Sequence, residues 1–397
     1  MKILVLGSRI PWPLHDGGAM ATYRMLKGLA EAGAEITYFS YNTKKHFQLE
    51  SSIQQHFPFC KVIPFNLDAT PTKLGALLAL LTGKNYNISR FESAEASTAV
   101  AALCAAESFD CIHVEGLFAF PLISQLGNSG IPIILRQHNV EFEIWNRLAA
   151  SATNPLKKWY LGRLARGLKT YETAAVNACR YVVAITESDA SVFRAMNPKA
   201  SVVVSPGGIE VNPGEGVTAP AEYSLCHIGS MEWRPNQEGV QWFIRNIWPS
   251  VLKQYPQAQF HLAGKGLNPS DPNYAAEGVV NHGEVASATD FMNAYTALVV
   301  PLHSGSGLRM KTIEAMALGK LVITTSVGMQ GLEANPNTHI LRADTLEEWL
   351  QAVQTVFGDK ETAAKIAQDG KSWALENFSY QSLATALLKE YKIWLKK

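Results

Sequence analysis

Short unbroken apolar runs alternate with stretches of helical period along most of the chain. The first run, KILVLG, ends at Gly7 and reads as a buried parallel strand. A Pro- and Gly-rich loop, IPWPLHDGGAM, follows it. TYRMLKGLAEAG is then helical by period and stopped by Gly33, and EITYFSY (35–41) is the next strand. The theme repeats in CIHVEG (111–116), IPIILRQHN (131–139) and RYVVAITES (180–188). Strands alternating with helices predict an α/β domain with a parallel sheet and a ligand crevice at the C-terminal ends of its strands.

Composition turns to Pro, Gly and small residues in VVVSPGGIEVNPGEGVTAPAEY (202–223), the predicted linker. A second set of elements follows: strands SLCHIGS (224–230), AQFHLAG (258–264), VVNHG (279–283), TALVVPL (296–302) and KLVITT (320–325), with a helix around GVQWFIRNIWPSVLKQY. From about Thr345 the chain reads as helical to SLATALLKEYKIWLKK. Two doubly wound, Rossmann-like domains with a cleft between them are therefore expected, at 1–205 and 206–375, with a terminal helix at 376–397.

At 397 residues, 47% hydrophobic and 17% charged, the chain is globular with no disordered tail. Its net charge of +1 argues against non-specific nucleic-acid binding. The charge is uneven, +5 up to Ser205 and −4 beyond it, which suits an anionic acceptor or membrane surface for the first half, or plain surface scatter. Cys60, Cys104, Cys111, Cys179 and Cys226 show no CxxC spacing and read as reduced thiols of a cytoplasmic protein. MKILVLGSRI lacks the apolar centre and cleavage site of a signal peptide, and LGALLALL (74–81) is too short to span a bilayer.

The chemistry concentrates in HSGSGLRMKTIEAMALGK (303–320). Gly305, Ser306 and Gly307 form a loop feeding a helix that closes at Gly319, and the helix opens with Arg309 and Lys311, where its dipole favours negative charge. A phosphate or diphosphate resolves the conflict: loop amides and the helix start make an anion site, Arg309 grips oxygens in a bidentate manner, and Lys311 adds a point charge. Glu314 lies too far along for phosphate but suits the vicinal hydroxyls of a ribose. The spacing is neither a Walker A loop nor GxGxxG. A surface ion pair between Lys311 and Glu314 is the plainer alternative.

The segment Gly-Ser-Gly-x-Arg-x-Lys-x-x-Glu-Ala-Met-Ala-x-Gly-Lys, followed by a strand and Ser326-Val327-Gly328, resembles the C-terminal donor site of retaining GT-B glycosyltransferases, and more narrowly family 4. GSMEWRPNQEGVQWF (229–243) is similar to a bacterial subgroup that makes surface polysaccharides, and Asp16-Gly17-Gly18, Gln137-His138-Asn139, TESD (186–189) and PGGIE (206–210) extend the likeness over nearly the whole chain. The resemblance implies an acceptor-binding first domain, a donor-binding second domain and a terminal helix crossing back to the first. Arg309 and Lys311 would neutralise the diphosphate leaving group, Glu314 would hold the ribose, and Ser306, Gly307 and Leu308 would approach sugar and phosphates with backbone amides. His138 would reach a sugar hydroxyl, Gly17 and Gly18 would let backbone approach the diphosphate, and the base would lie near Glu284 and Val285.

Two departures stand out. The family pairs two glutamates with seven residues between them, and the first falls here on Ser306; Ser230 stands where an Arg is usual, with Arg234 either compensating or lying on the surface. The expected partners are a UDP- or GDP-linked sugar and a saccharide or lipid-linked acceptor. No DxD or His/Asp/Glu cluster suggests a metal, so none is expected, nor any cofactor beyond the nucleotide sugar. A nucleotide-sugar 2-epimerase, a non-catalytic nucleotide-sugar binder and a two-carboxylate hydrolase using Glu115, Glu141, Glu143 or Glu172 are the alternatives, with a solvated helix start the plain reading of Glu141 and Glu143. His15 and His138 are open to structural roles. The basic run PLKKWYLGRLARGLKTYE (155–172) reads either as a solvated amphipathic helix or as a peripheral contact with an anionic membrane.

Overall fold

The computed structural model describes every residue except 15, 128, 211–219, 305–307 and 397. The chain divides into two compact units, Met1–Gly208 with Tyr380–Lys397, and Ile209–Ser379.

Unit 1 runs β1 (Lys2–Gly7), α1 (Gly17–Glu31), β2 (Glu35–Thr43), α2 (Glu50–His56), β3 (Lys61–Leu67), α3 (Lys73–Leu81), α4 (Tyr86–Ser89) and α5 (Ala94–Ala106). It continues through β4 (Cys111–Glu115), β5 (Ile133–Gln137), α6 (Glu141–Ser151), α7 (Pro155–Ala178), β6 (Tyr181–Ala184), α8 (Glu187–Met196) and β7 (Ser201–Val204). Its seven strands are all parallel in the order β3-β2-β1-β4-β5-β6-β7. The order reverses between β1 and β4, where a doubly wound sheet opens its crevice.

Unit 2 runs β8 (Ala221–Ile228), α9 (Arg234–Asn246), α10 (Trp248–Gln254), β9 (Gln259–Ala263), β10 (Val279–Asn281), α11 (Ala288–Asn293) and β11 (Tyr295–Val300). Then come α12 (Met310–Ala317), β12 (Leu321–Thr324), β13 (Leu341–Arg342), α13 (Leu346–Gly358) and α14 (Lys360–Phe378), while α15 (Tyr380–Trp394) belongs to unit 1. The sheet is again parallel, in the order β10-β9-β8-β11-β12-β13, with its switch between β8 and β11.

The apolar runs follow from burial on both sheet faces. In β1, Ile3 and Val5 enter one core cluster and Leu4 and Leu6 the other; in β11, Ala297 and Val299 part from Leu298 and Val300 in the same way. Each Ile, Val or Leu among them contributes about 1.5–3 kcal/mol when fully buried. α15 completes unit 1 by adding Ala384, Leu387, Leu388, Tyr391 and Trp394 to the cluster that holds Ile3, Val5 and Leu26. A β-carbon on Gly28 of α1 would come within 2.6 Å of Ala384 Cβ, so the two helices touch through that gap.

Several expectations need correction. The predicted linker is shorter, because Val202–Val204 pair with β6 and Ala221–Tyr223 already belong to β8. Gly17 and Gly18 are not in a loop. Asp16 is extended and its carboxylate accepts from Ala19 N at 3.0 Å, so α1 starts at Gly17 and both glycines form its first turn. The long helix expected near 239–255 breaks at Ile247 into α9 and α10.

Candidate functional site

Two groups of polar side chains sit at the two switch points, one in each unit. In unit 2 the group begins at the head of α12. Residues 305–307 lie outside the described residues, so the Ser306 and Gly307 assignments have no structural account. Leu308 is half-buried and packs, with Val285, against one core cluster. Arg309 is the N-cap of α12 rather than part of its first turn, and that turn carries no acidic residue. Arg309 is buried, with its guanidinium 5.3 Å above the Trp233 ring; burial pulls its pKa down.

Lys311 does not pair with Glu314 on the surface. Its Nζ turns inward and donates to Asn236 Oδ1 at 2.9 Å and to His227 Nε2 at 3.3 Å. His227, near the C-terminal end of β8, is fully buried and bonds Val299 O through Nδ1 at 2.8 Å. A carbonyl only accepts, so Nδ1 carries the proton and Nε2 offers its lone pair to the lysine. Burial, then the charge of Lys311, keeps this imidazole neutral, its pKa far below the usual value. Burial, then the nearby Arg309 charge, pushes Lys311 down to about 7. Asn236 is fixed in turn by donating to Ser230 O at 2.9 Å. Gly229 leaves the space this needs, since a β-carbon there would lie 2.7 Å from both Lys311 Nζ and Asn236 Nδ2.

Glu314 stands one turn further along α12, half-buried. Glu284 is exposed just past β10, the edge strand, and so lies away from the switch point that gathers Arg309 and Lys311. Arg234 is a surface residue. It is largely exposed and its Nε donates to Glu238 Oε1 at 2.7 Å.

In unit 1 the hub is Glu115, the last residue of β4, buried against β5 and α1. Oε1 accepts from Thr22 at 3.0 Å, from His138 Nε2 at 2.6 Å and from Arg136, while Oε2 accepts from His113 Nε2 at 2.7 Å. Burial alone would raise this carboxyl, but the charges of Arg136 and His138 and the hydrogen bonds outweigh it and hold the pKa well below the ordinary range. His113 Nδ1 meets Tyr391 Oη of α15 at 2.7 Å. With Nε2 committed to Glu115, His138 keeps Nδ1 toward α1, where a β-carbon on Gly18 would lie 3.8 Å away. Gly17 is exposed and has no such neighbour within 4 Å. His15 lies outside the described residues.

A cavity of about 210 Å³ opens here, lined by Gly7, Gly18, Thr22, Glu115, His138 and Glu141 among others. Glu141 starts α6 half-buried at this cavity, where burial raises its carboxyl to about 7. Glu172 is also buried, accepting the amides of Glu141 and Phe142 at 3.0 and 3.1 Å, and so caps α6 rather than facing a substrate. Among the described residues no group of three or more His, Cys, Asp and Glu is arranged to hold a metal ion. None of His227, Asn236, Trp233 and Arg136 was singled out from sequence. A signal was present for two of them: SLCHIGS and IPIILRQHN each carry a polar residue inside an apolar strand run near its C-terminal end.

Two doubly wound parallel-sheet domains, each with a polar group at its switch point, make up the GT-B class of glycosyltransferases, and solved structures of that class match throughout. Sucrose-phosphate synthase from Thermosynechococcus elongatus superposes with a TM-score of 0.63 at 17% identity, covering all of both chains. Anabaena Alr3699/HepE in complex with UDP gives 0.61 at 14% identity over 99% of this chain and 100% of that one. At the sequence level, the profile described as Glycosyltransferase Family 4 matches residues 15–212, and that of Glycosyl transferases group 1 matches 222–359. The chain belongs to the family 4 glycosyltransferases. It is also similar to an uncharacterized 44.6 kDa protein in the cps region of Klebsiella pneumoniae, 20% identical over 98% of this chain and 99% of that protein.

Proposed function

We propose that the protein is a retaining hexosyltransferase that moves a sugar from a UDP- or GDP-linked donor to a saccharide or lipid-linked acceptor in polysaccharide synthesis, in the cytoplasm. The observation that carries this reading is the pair Arg309 and Lys311 at the head of α12, beside the switch of unit 2 and with no carboxylate in the helix's first turn. Structures of Alr3699/HepE with UDP and with UDP-glucose support a uridine donor, and the Klebsiella relative in a cps region supports the polysaccharide setting.

In this reading the bond from the anomeric carbon to the β-phosphate oxygen breaks as the acceptor oxygen bonds the same face of the sugar. The acceptor's proton passes to the departing diphosphate. Arg309 and Lys311 neutralise the charge that develops there, and Leu308, Ser306 and Gly307 lend backbone amides. This role replaces a divalent metal. Glu314 holds the ribose hydroxyls, and Glu284 with Val285 flank the base. His138 reaches a sugar hydroxyl through Nδ1, with Gly17 and Gly18 allowing close approach of the α1 backbone. The test is incubation with UDP-glucose and GDP-mannose, with and without acceptor extract, in the presence of EDTA. Acceptor-dependent release of one nucleoside diphosphate, with an anomeric proton signal of unchanged configuration, is expected. Donor turnover without transfer to acceptor, or activity abolished by EDTA and restored by a divalent cation, overturns it.

A further inference from the structure

A surface helix usually turns its leucines to the core. α3 does the reverse: Leu74, Leu77, Leu78 and Leu81, spaced as one helical stripe, are 67%, 52%, 52% and 74% exposed, and the helix buries only Ala79. The first turn of α7 adds Leu156 and Trp159, at 79% and 56%. Between α3, the turn after it and α7 lies a cavity of about 330 Å³ whose lining includes Lys84, Tyr86, Tyr160, Arg163 and Arg166.

The charge around this face has one sign. Residues 69–91 and 144–171 contain nine Lys and Arg and no Asp or Glu, in a chain with 34 acids in 397 residues. The nearest carboxylate that the face engages is Glu92, paired with Lys84 at 2.6 Å. A second copy of the chain on a two-fold axis would set these cations against themselves. An anionic bilayer complements both features, taking the leucines below the headgroups and leaving the cations among the phosphates. The basic run of α7 does not serve alone, because its Leu164 and Leu168 are buried in the core of unit 1.

We infer that the face formed by α3, the turn after it and the first half of α7 docks on an anionic lipid bilayer, with the leucine stripe inserted and the Lys84–Arg163–Arg166 cavity receiving a lipid phosphate. The inference does not depend on the transferase reading, and its test reads binding rather than activity. The full chain is floated with phosphatidylcholine vesicles and with vesicles containing phosphatidylglycerol, at low and high salt. Flotation only with the anionic vesicles, weakened by salt, is expected. Leu77→Glu with Leu78→Glu lowers vesicle affinity at least tenfold while melting temperature and UDP binding stay unchanged. Arg163→Gln with Arg166→Gln lowers it less and flattens the salt dependence, giving a second variant with no exposed apolar change. Absence of flotation at low salt, or wild-type flotation by the leucine variant, overturns the inference. So does a leucine-dependent dimer in sedimentation, which would give the face to another copy of the chain.

Discussion

In the proposed reading, Lys311 makes the nucleotide site sensitive to protons. Among the described residues its Nζ hydrogen-bonds neutral partners, Asn236 Oδ1 and His227 Nε2, and burial pushes its pKa down to about 7. A diphosphate oxygen bearing one charge about 4 Å away, at an effective dielectric constant of about 20, favours the ammonium by about 4 kcal/mol, or about three pKa units. Binding therefore returns the lysine to its ordinary range and draws a proton from solvent. The uptake is about 0.5 proton at pH 7 and about 0.9 at pH 8, where UDP itself no longer titrates. Calorimetric titration with UDP in two buffers of different ionisation enthalpy measures it directly. At pH 8 the binding enthalpy changes between buffers by about 0.9 of their ionisation difference, and Lys311→Met abolishes the dependence. Equal enthalpies in both buffers at pH 8, or a dependence that survives Lys311→Met, refute the assignment. The unliganded protein shows the same linkage with the opposite sense. A base whose pKa is lower folded than unfolded releases its proton on folding, so its contribution to stability improves as pH rises from about 7 toward the unfolded value of 10.5.

Other residues give separate tests. Arg309→Ala lowers turnover of the nucleotide sugar about 10²–10³-fold in steady-state assays; full activity would remove the anion-site assignment. Gly229→Ala forces a β-carbon against Lys311 and Asn236, and weakens UDP binding about tenfold by calorimetry while the circular dichroism spectrum is unchanged. Glu115→Gln leaves Arg136 buried without its counter-charge and costs about 3–5 kcal/mol in denaturant unfolding. Because the Glu115 pKa is depressed in the fold, its stabilisation is complete above the ordinary carboxylate range and is lost as pH falls toward the folded value; wild type and variant therefore converge in acid unfolding curves.

The interior strands were legible because both faces of each sheet are covered, so KILVLG, CIHVEG and TALVVPL stand out as continuous apolar runs. The edges were not. β3, with Pro64 in it, and β7 are outermost in their sheet and partly exposed, so KVIPFNL was passed over and VVV was absorbed into the linker. Arg309 and Lys311 were legible as local charges out of place at a helix start. Their supports were not, because His227 and Asn236 come from β8 and α9, more than seventy residues earlier, and only the parallel register of β8 and β11 brings them to α12. The same holds for Glu115, which meets His138 through the pairing of β4 with β5.

Helix α15 has a consequence for synthesis of the chain on the ribosome. Tyr391 reaches His113, and Tyr181 Oη donates to Trp394 O at 2.6 Å, so the amino-terminal unit lacks part of its interior until α15 has been made. Residues 209–379 have by then emerged as a continuous stretch able to fold first. A nascent chain halted before Tyr380 would present the bare side of α1, with Leu26 and the notch at Gly28 open to solvent, as a ready target for chaperones or proteases.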